Sequence, residues 1–197
     1  MAAGVPSNNI VAFDIVSHWE VGYEMFNDRD RFEANFIEAD LLNIEAKPEL
    51  IAMKGTFGVI YAAQLLHQWG WEKQVEACKK IVELSAKGAM VIGIQIGLLE
   101  GRLKHLKTDK ADAYHFFHDP ETFQKLWDQA GEETETKWNS DSRLKTFEEI
   151  GMDSKDAAYL GPDARILEFA VTRIDQNVLK KNGLRSLKEM ERSMVIS

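Results

Sequence analysis

Asp14, Asp40 and Gln64 each stand just past a short apolar run: residues 9–13, 34–39 and 57–63. If those runs are strands, each polar group lies at a strand tip, the edge where open α/β sheets bind ligands. A tip carboxylate can accept hydrogen bonds from both hydroxyls of a ribose. Asp14 can equally cap the helix that follows, a role for which Ser17 competes. Asp40 has the same duality. Its carboxylate can receive an adenine amino group while Leu41 packs on the ring, or it can form an Asx-type turn. His67 follows Ala63 and Gln64 closely enough to act as a general base near a transferred group, although a histidine there more often bonds backbone at a helix start. His115, His118 and Asp119 resemble metal-ligand spacing only superficially. With Cys78 as the sole cysteine, no metal site is expected. Trp69 and Trp71 flank Gly70 near the same edge, and one of them is a candidate pocket wall.

The surrounding pattern says what positions these groups. Residues 9–13 read as a buried strand, followed by a helix with Ser17 as cap and Glu20 completing a capping box. Trp19, Tyr23 and Phe26 share one face of that helix. A second strand covers 34–39, and Pro48 opens a short helix that Lys54 and Gly55 close. A third strand covers 57–63. The clearest helix spans 71–86 with Gly88 as its stop signal, and a fourth strand covers 89–96. Continuous apolar strands alternating with helices imply βαβ units, a mostly parallel sheet and helices on both of its faces. Residues 97–117 are charged and irregular, a candidate lid or insertion. Asp119 and Pro120 start a helix reaching about residue 130. Residues 138–147 and 165–174 alternate apolar with polar and predict an antiparallel pair closing the sheet. Residues 177–197 form a basic tail, five Lys/Arg against two Glu.

Composition narrows the class. The chain has 197 residues, 45% hydrophobic and 28% charged, enough for one domain with a core. Its net charge of −8 argues against a general nucleic-acid binder, since phosphate binding needs a basic face. No apolar run is long enough for a bilayer, and the first residues lack the pattern of a signal peptide, so a cytoplasmic protein is expected. No GxSxG, P-loop or HExxH occurs. No glycine-rich loop precedes the strand ending at Asp14.

Several blocks resemble a family. Residues 12–15 (Ala-Phe-Asp-Ile), 19–30 (Trp-Glu-Val-Gly-Tyr-Glu-Met-Phe-Asn-Asp-Arg-Asp) and 36–40 (Phe-Ile-Glu-Ala-Asp) are similar to fungal class I S-adenosylmethionine-dependent methyltransferases of secondary-metabolite clusters, the meroterpenoid-pathway type in particular. Residues 59–67 (Val-Ile-Tyr-Ala-Ala-Gln-Leu-Leu-His), 71–75 (Trp-Glu-Lys-Gln-Val) and 136–138 (Thr-Lys-Trp) agree, and the likeness runs to about residue 174. The resemblance implies a Rossmann-like α/β fold and S-adenosyl-L-methionine as cofactor. It implies methyl transfer to a small-molecule acceptor such as a polyketide or terpenoid, with no nucleic-acid or membrane partner. It implies that Asp14, with Ile15 beside it, holds the cofactor ribose, that Asp40 and Leu41 meet the adenine, and that Ala63 and Gln64 lie near the methionine part.

The resemblance also implies a departure. The family's first strand and glycine-rich motif would lie upstream of residue 1, with residues 1–6 matching the end of the following helix. Residues 1–176 are then a methyltransferase-like domain without a central strand. The strands ending at Asp14 and Ala63 are left with unpaired edges, about 1–3 kcal/mol per buried polar group left unsatisfied. The 197-residue chain alone is expected to bind cofactor poorly. Three readings stay open: a methyltransferase with a clipped N-terminus, a degenerate fold serving as a non-catalytic binding partner, and a repurposed isomerase or cyclase using the inherited pocket. The acceptor, the methylated atom and the oligomeric state are not set by the sequence.

Overall fold

The computed structural model describes residues 6–32, 34–107 and 112–174. The basic tail and the first five residues lie outside them. The first unit is β1 (Val11–Asp14), helix α1 (Trp19–Phe26) and β2 (Asn35–Glu38). β1 and β2 pair in parallel, Asp14 opposite Glu38, and form a two-stranded sheet by themselves. A 3-10 segment (Leu41–Ala46) and α2 (Pro48–Ala52) lead to β3 (Phe57–Tyr61), α3 (Trp71–Leu84) and β4 (Ser85–Leu98). Next come β5 (Arg102–Lys107), β6 (Asp112–Phe117), α4 (Pro120–Glu133), β7 (Trp138–Lys145) and β8 (Ala164–Arg173). The main sheet has the order β3-β4-β8-β7, parallel between β3 and β4 and antiparallel elsewhere.

The expected strand-helix order and the closing antiparallel pair are present. Three local expectations are corrected. Ser17 does not cap α1: the helix starts from His18 without a side-chain cap, and Glu20 turns outward to pair with Arg29. The third helix ends at Leu84, two residues before the expected Ala86. The Ser85 hydroxyl donates to Ile81 O, and β4 begins at once. Gly88 then sits at φ 71° inside a bulge, where Phe57 pairs with Ser85 but Val59 pairs with Met90; its missing Cβ is what permits that conformation. Within the candidate lid at 97–117, the described residues 102–107 and 112–117 pair as antiparallel strands, β5 against β6, with Arg102 opposite Phe117.

One apolar cluster unites these pieces. Ile44, Leu50, Ala77, Cys78, Ile81, Phe123, Trp127 and Val171 are buried in it, and Phe13 and Ile37 of the small sheet pack against it. Burial pushes the Cys78 thiol well above its ordinary value, so it stays a neutral packing group. α3 and α4 cover one face of the main sheet. The other face is closed at its Leu98–Ala164 end by a second cluster with Phe117, Phe147 and Leu160. Further down it opens into a cleft of about 510 Å³ lined by Tyr61, Ile92, Ile94, Arg143 and Glu168.

The hairpin is held at its base by one buried amide. Gln74 Nε2 donates to Trp69 O at 2.9 Å and to Phe116 O at 2.7 Å. Its Oε1 accepts from His118 Nε2 at 3.0 Å, while His118 Nδ1 lies 3.2 Å from the Thr122 hydroxyl. Asp119 caps α4 with Thr122 in a reciprocal box and also accepts from Gly101 N. Gln74 and His118 are fully buried. Replacing Gln74 by Leu leaves three polar groups stranded and is expected to cost about 2–5 kcal/mol in urea unfolding, with faster amide exchange at Phe116.

Burial lowers the His118 pKa to about 3 and that of His67 to about 4. Both are depressed below the unfolded value of 6.5, so the unfolded chain takes up protons first on acidification. Stability is full above that value and falls through the window from about 6.5 to 3. The unfolding free energy is expected to drop by about 1–2 kcal/mol for His118 between pH 7 and pH 5. Denaturant titrations at the two pH values check this, and a flat profile would contradict the neutral buried state.

Candidate functional site

The site is built from strand tips. Asp14 ends β1 and Asp40 lies two residues past its partner Glu38, with Ala39 N donating to Asp14 O at 2.8 Å. Both aspartates fold locally in the same way. Asp14 Oδ1 accepts Val16 N at 3.3 Å, and Asp40 Oδ1 accepts Leu42 N at 2.9 Å. Each carboxylate is thereby fixed by the N–H two residues on, the Asx geometry these side chains favour. The second oxygen of each has no hydrogen bond among the described residues, and both side chains are exposed. Asp40 caps the 3-10 segment that follows it, whereas Asp14 does not cap α1, which starts from His18; its bond to Val16 N is a local turn.

Ile15 follows Asp14 with 65% of its surface exposed, unusual for an isoleucine at a strand end. Leu41 points the other way. It is buried in the main cluster, so its side chain serves the core, and the next residue, Leu42, is half-buried against the same cluster. Glu38 at the tip of β2 is exposed as well, a third carboxylate at this edge that the sequence reading passed over because it falls inside the strand run.

Ala63 and Gln64 lie past β3, both exposed. Gln64 N donates to Ile94 O at 2.7 Å, and its own carbonyl accepts Gln68 Nε2 at 3.2 Å. Gln64 has φ 51°, a left-handed conformation costly for a residue with a Cβ and held here by those two bonds. No residue-type signal marked this turn, because Gln is not the residue such turns select.

His67 lies on the 3-10 segment Leu66–Gln68. Its ring stacks on Phe117 with centroids 6.0 Å apart, and its carbonyl faces His115 Nδ1 at 3.1 Å. Nδ1 is buried without a hydrogen-bond partner. Burial first, and the charge of His115 second, lower its pKa to about 4, so the imidazole is neutral and holds a proton weakly. Trp69 and Trp71 are packing groups rather than pocket walls. Both rest on the main cluster, and Trp71 Nε1 donates to Gln129 Oε1 at 2.7 Å. Both ring nitrogens of His118 face hydrogen-bonding neighbours within the fold. Among the described residues no group of three or more His, Cys, Asp or Glu side chains could hold a metal ion.

No protein-family model matches the chain. Over 151 residues it is 30% identical to the O-methyltransferase atr3 of Stereocaulon alpinum, covering 75% of this chain and 43% of that protein. Over 139 residues it is 31% identical to the O-methyltransferase phiE of a fungal species, covering 69% of this chain and 45% of that one. The structure matches the 1,6-didemethyltoxoflavin-N1-methyltransferase of Burkholderia thailandensis, solved with 1,6-didemethyltoxoflavin and S-adenosylhomocysteine. The TM-score is 0.56 at 13% identity, over 84% of this chain and 61% of that one.

The chain has a class I methyltransferase fold and is related to fungal O-methyltransferases. It spans about half the length of the curated relatives it matches, 43% to 53%. Among the described residues β1 pairs with β2 alone and β3 with β4 alone. Among the described residues no helix is long and apolar enough to cross a membrane.

The local geometry makes a prediction of its own. Gln64→Gly relieves the left-handed strain while keeping both backbone bonds. It is expected to leave stability unchanged or raised by up to about 1 kcal/mol, measured by thermal unfolding. A marked loss would show that the Gln64 side chain, rather than its backbone, holds the turn.

Proposed function

We propose that the protein transfers a methyl group from S-adenosyl-L-methionine to an oxygen of a small natural-product acceptor of polyketide or terpenoid type. The observation that carries the reading is the pair of exposed aspartates at adjacent strand tips, each with one oxygen accepting a backbone N–H two residues on. Asp14 receives the two ribose hydroxyls and Ile15 packs beside the sugar. Asp40 receives the adenine amino group, with the Leu41 backbone at the ring edge and Leu42 as the apolar contact. The turn at Ala63 and Gln64 presents exposed backbone to the methionine part. When bound, the cofactor supplies an electrophilic methyl on a sulfonium. The protein's work is then proximity and alignment of the acceptor oxygen with it.

We assign His67 to the acceptor side. A neutral imidazole can take the proton of a phenol or enol as its oxygen attacks, although a base with so low a proton affinity contributes modestly. A carboxylate acceptor is already ionised and needs no base.

Two expectations test this. In a full-length context that carries the glycine-rich segment, Asp14→Ala is expected to weaken S-adenosylmethionine binding about 10- to 100-fold, the 1–3 kcal/mol of a charge-assisted hydrogen-bonding group, measured by calorimetry. An unchanged dissociation constant contradicts the ribose assignment. His67→Ala is expected to lower kcat about 10- to 100-fold on a phenolic acceptor and to leave a carboxylate acceptor unaffected. Loss on the carboxylate would contradict the base role.

A further inference from the structure

Gln68 follows His67 on the same 3-10 segment, and its side chain is exposed. Its amide nitrogen meets two groups at once. Nε2 donates to Gln64 O at 3.2 Å and lies 3.5 Å from His67 Nε2. The first contact decides the second. A carbonyl oxygen only accepts, so the end of the Gln68 amide that faces Gln64 is the NH2. The same NH2 carries a second hydrogen, and the ring nitrogen beside it can only accept it. His67 Nε2 is then the bare nitrogen, and in a neutral ring the proton sits on Nδ1. The ring is neutral at pH 7, since burial first and His115 second lower its pKa to about 4. It stacks on Phe117 with the two planes 26° apart, and its own carbonyl faces His115 Nδ1, so the ring plane is held from two sides. Nδ1 is buried with no hydrogen-bond partner among the described residues, so no group there selects a tautomer.

We propose that Gln68 is a positioning residue: its amide holds His67 in the Nδ1–H tautomer and keeps the bare lone pair on Nε2, the ring nitrogen that an acceptor can reach. A base works only through an unprotonated nitrogen. Were the proton on Nε2, the lone pair would be on the buried Nδ1 and idle. With the proton on Nδ1, the acceptor hydroxyl takes the place of the Gln68 NH2 at Nε2. Its proton passes to that lone pair as its oxygen bonds to the methyl carbon and the carbon–sulfur bond breaks. Gln68 keeps its bond to Gln64 O throughout. One NH2 group thereby ties the base to the left-handed turn at Gln64, assigned above to the methionine part. The role in turnover rests on the reading of His67 as the base. The tautomer itself is read with no acceptor and no cofactor present, so the two can fail separately.

The experiment is nitrogen-15 magnetic resonance of the ring nitrogens in the histidine-labelled protein at pH 7, where protonated and bare nitrogens resonate far apart. The chain has five histidines, and the His67 signals are the ones lost in His67→Gln. Nδ1 is expected at the protonated position and Nε2 at the bare one. Gln68→Met keeps the side-chain length and removes the NH2, and the two signals are expected to exchange positions as Nε2–H becomes the main form. Gln68→Lys restores a donor and is expected to return them. Gln64→Gly alone is expected to leave the signals in place, and the double variant Gln64→Gly with Gln68→Met to exchange them still, which separates the effect of the amide on the ring from its effect on the turn. In a full-length context that carries the glycine-rich segment, Gln68→Met is expected to lower kcat on a phenolic acceptor about three- to tenfold, the population change that one hydrogen bond brings, with KM within about twofold. The proposal is overturned by a wild-type ring protonated on Nε2, or by signals that stay in place in Gln68→Met. It is equally overturned by a kcat that Gln68→Met leaves unchanged where His67→Ala lowers it.

Discussion

Among the described residues the small sheet and the main sheet share no hydrogen bond and are held together by one apolar cluster, and everything at the strand tips depends on that. Phe13 and Ile37 anchor the small sheet to the cluster around Ile44, Ala77, Trp127 and Phe169, while Ile60 anchors β3 to the same cluster. Side-chain packing is non-directional, so it fixes separation more firmly than register. The register within each sheet comes from backbone pairing, and between the sheets it comes from the core alone. The aspartates of β1 and β2 are therefore well placed relative to each other. Their placement relative to Gln64 and His67 is only as firm as the packing.

The second half of the chain solves a different problem. The hairpin β5–β6 rises from β4 with exposed Leu103 and Tyr114. Its base is tied to the loop that carries His67 by Gln74 and by Phe116 N donating to Trp69 O. Buried polar groups stabilise when every member is satisfied and destabilise when one is not. The Gln74–His118–Thr122 set, closed by the Asp119 cap, satisfies that condition. The His67 ring, stacked on Phe117, leaves its buried Nδ1 without a hydrogen-bond partner among the described residues.

Much of this was legible in the sequence. Residues 9–13, 34–39 and 57–63 announced strands because a parallel strand needs apolar residues on both faces, and each carried its polar group just past the end. Asp119-Pro120 announced a helix start because its cap and first turn use local rules alone. The failures have physical causes. Ser17 and Glu20 fit a capping box, but tertiary context moved the helix start to Trp19 and gave Glu20 to Arg29. Residues 97–117 hid a hairpin because both of its faces mix cations with aromatics, as in Lys104 opposite His115 and His105 opposite Tyr114, so no alternation shows. The left-handed turn at Gln64 and the burial of Leu41 depend on partners far along the chain.

The central claim is that the adenosine part of the cofactor lies on the tips of β1 and β2. The most direct measurement is a nuclear magnetic resonance titration with S-adenosylhomocysteine of this chain, isotope-labelled, in a full-length context that carries the glycine-rich segment. The account predicts that the largest amide shifts fall on Asp14, Ile15, Asp40 and Leu41, with smaller ones at Ala63 and Gln64. Shifts centred on Tyr61, Ile92 and Glu168 in the open cleft, with the two aspartate tips unmoved, would contradict it.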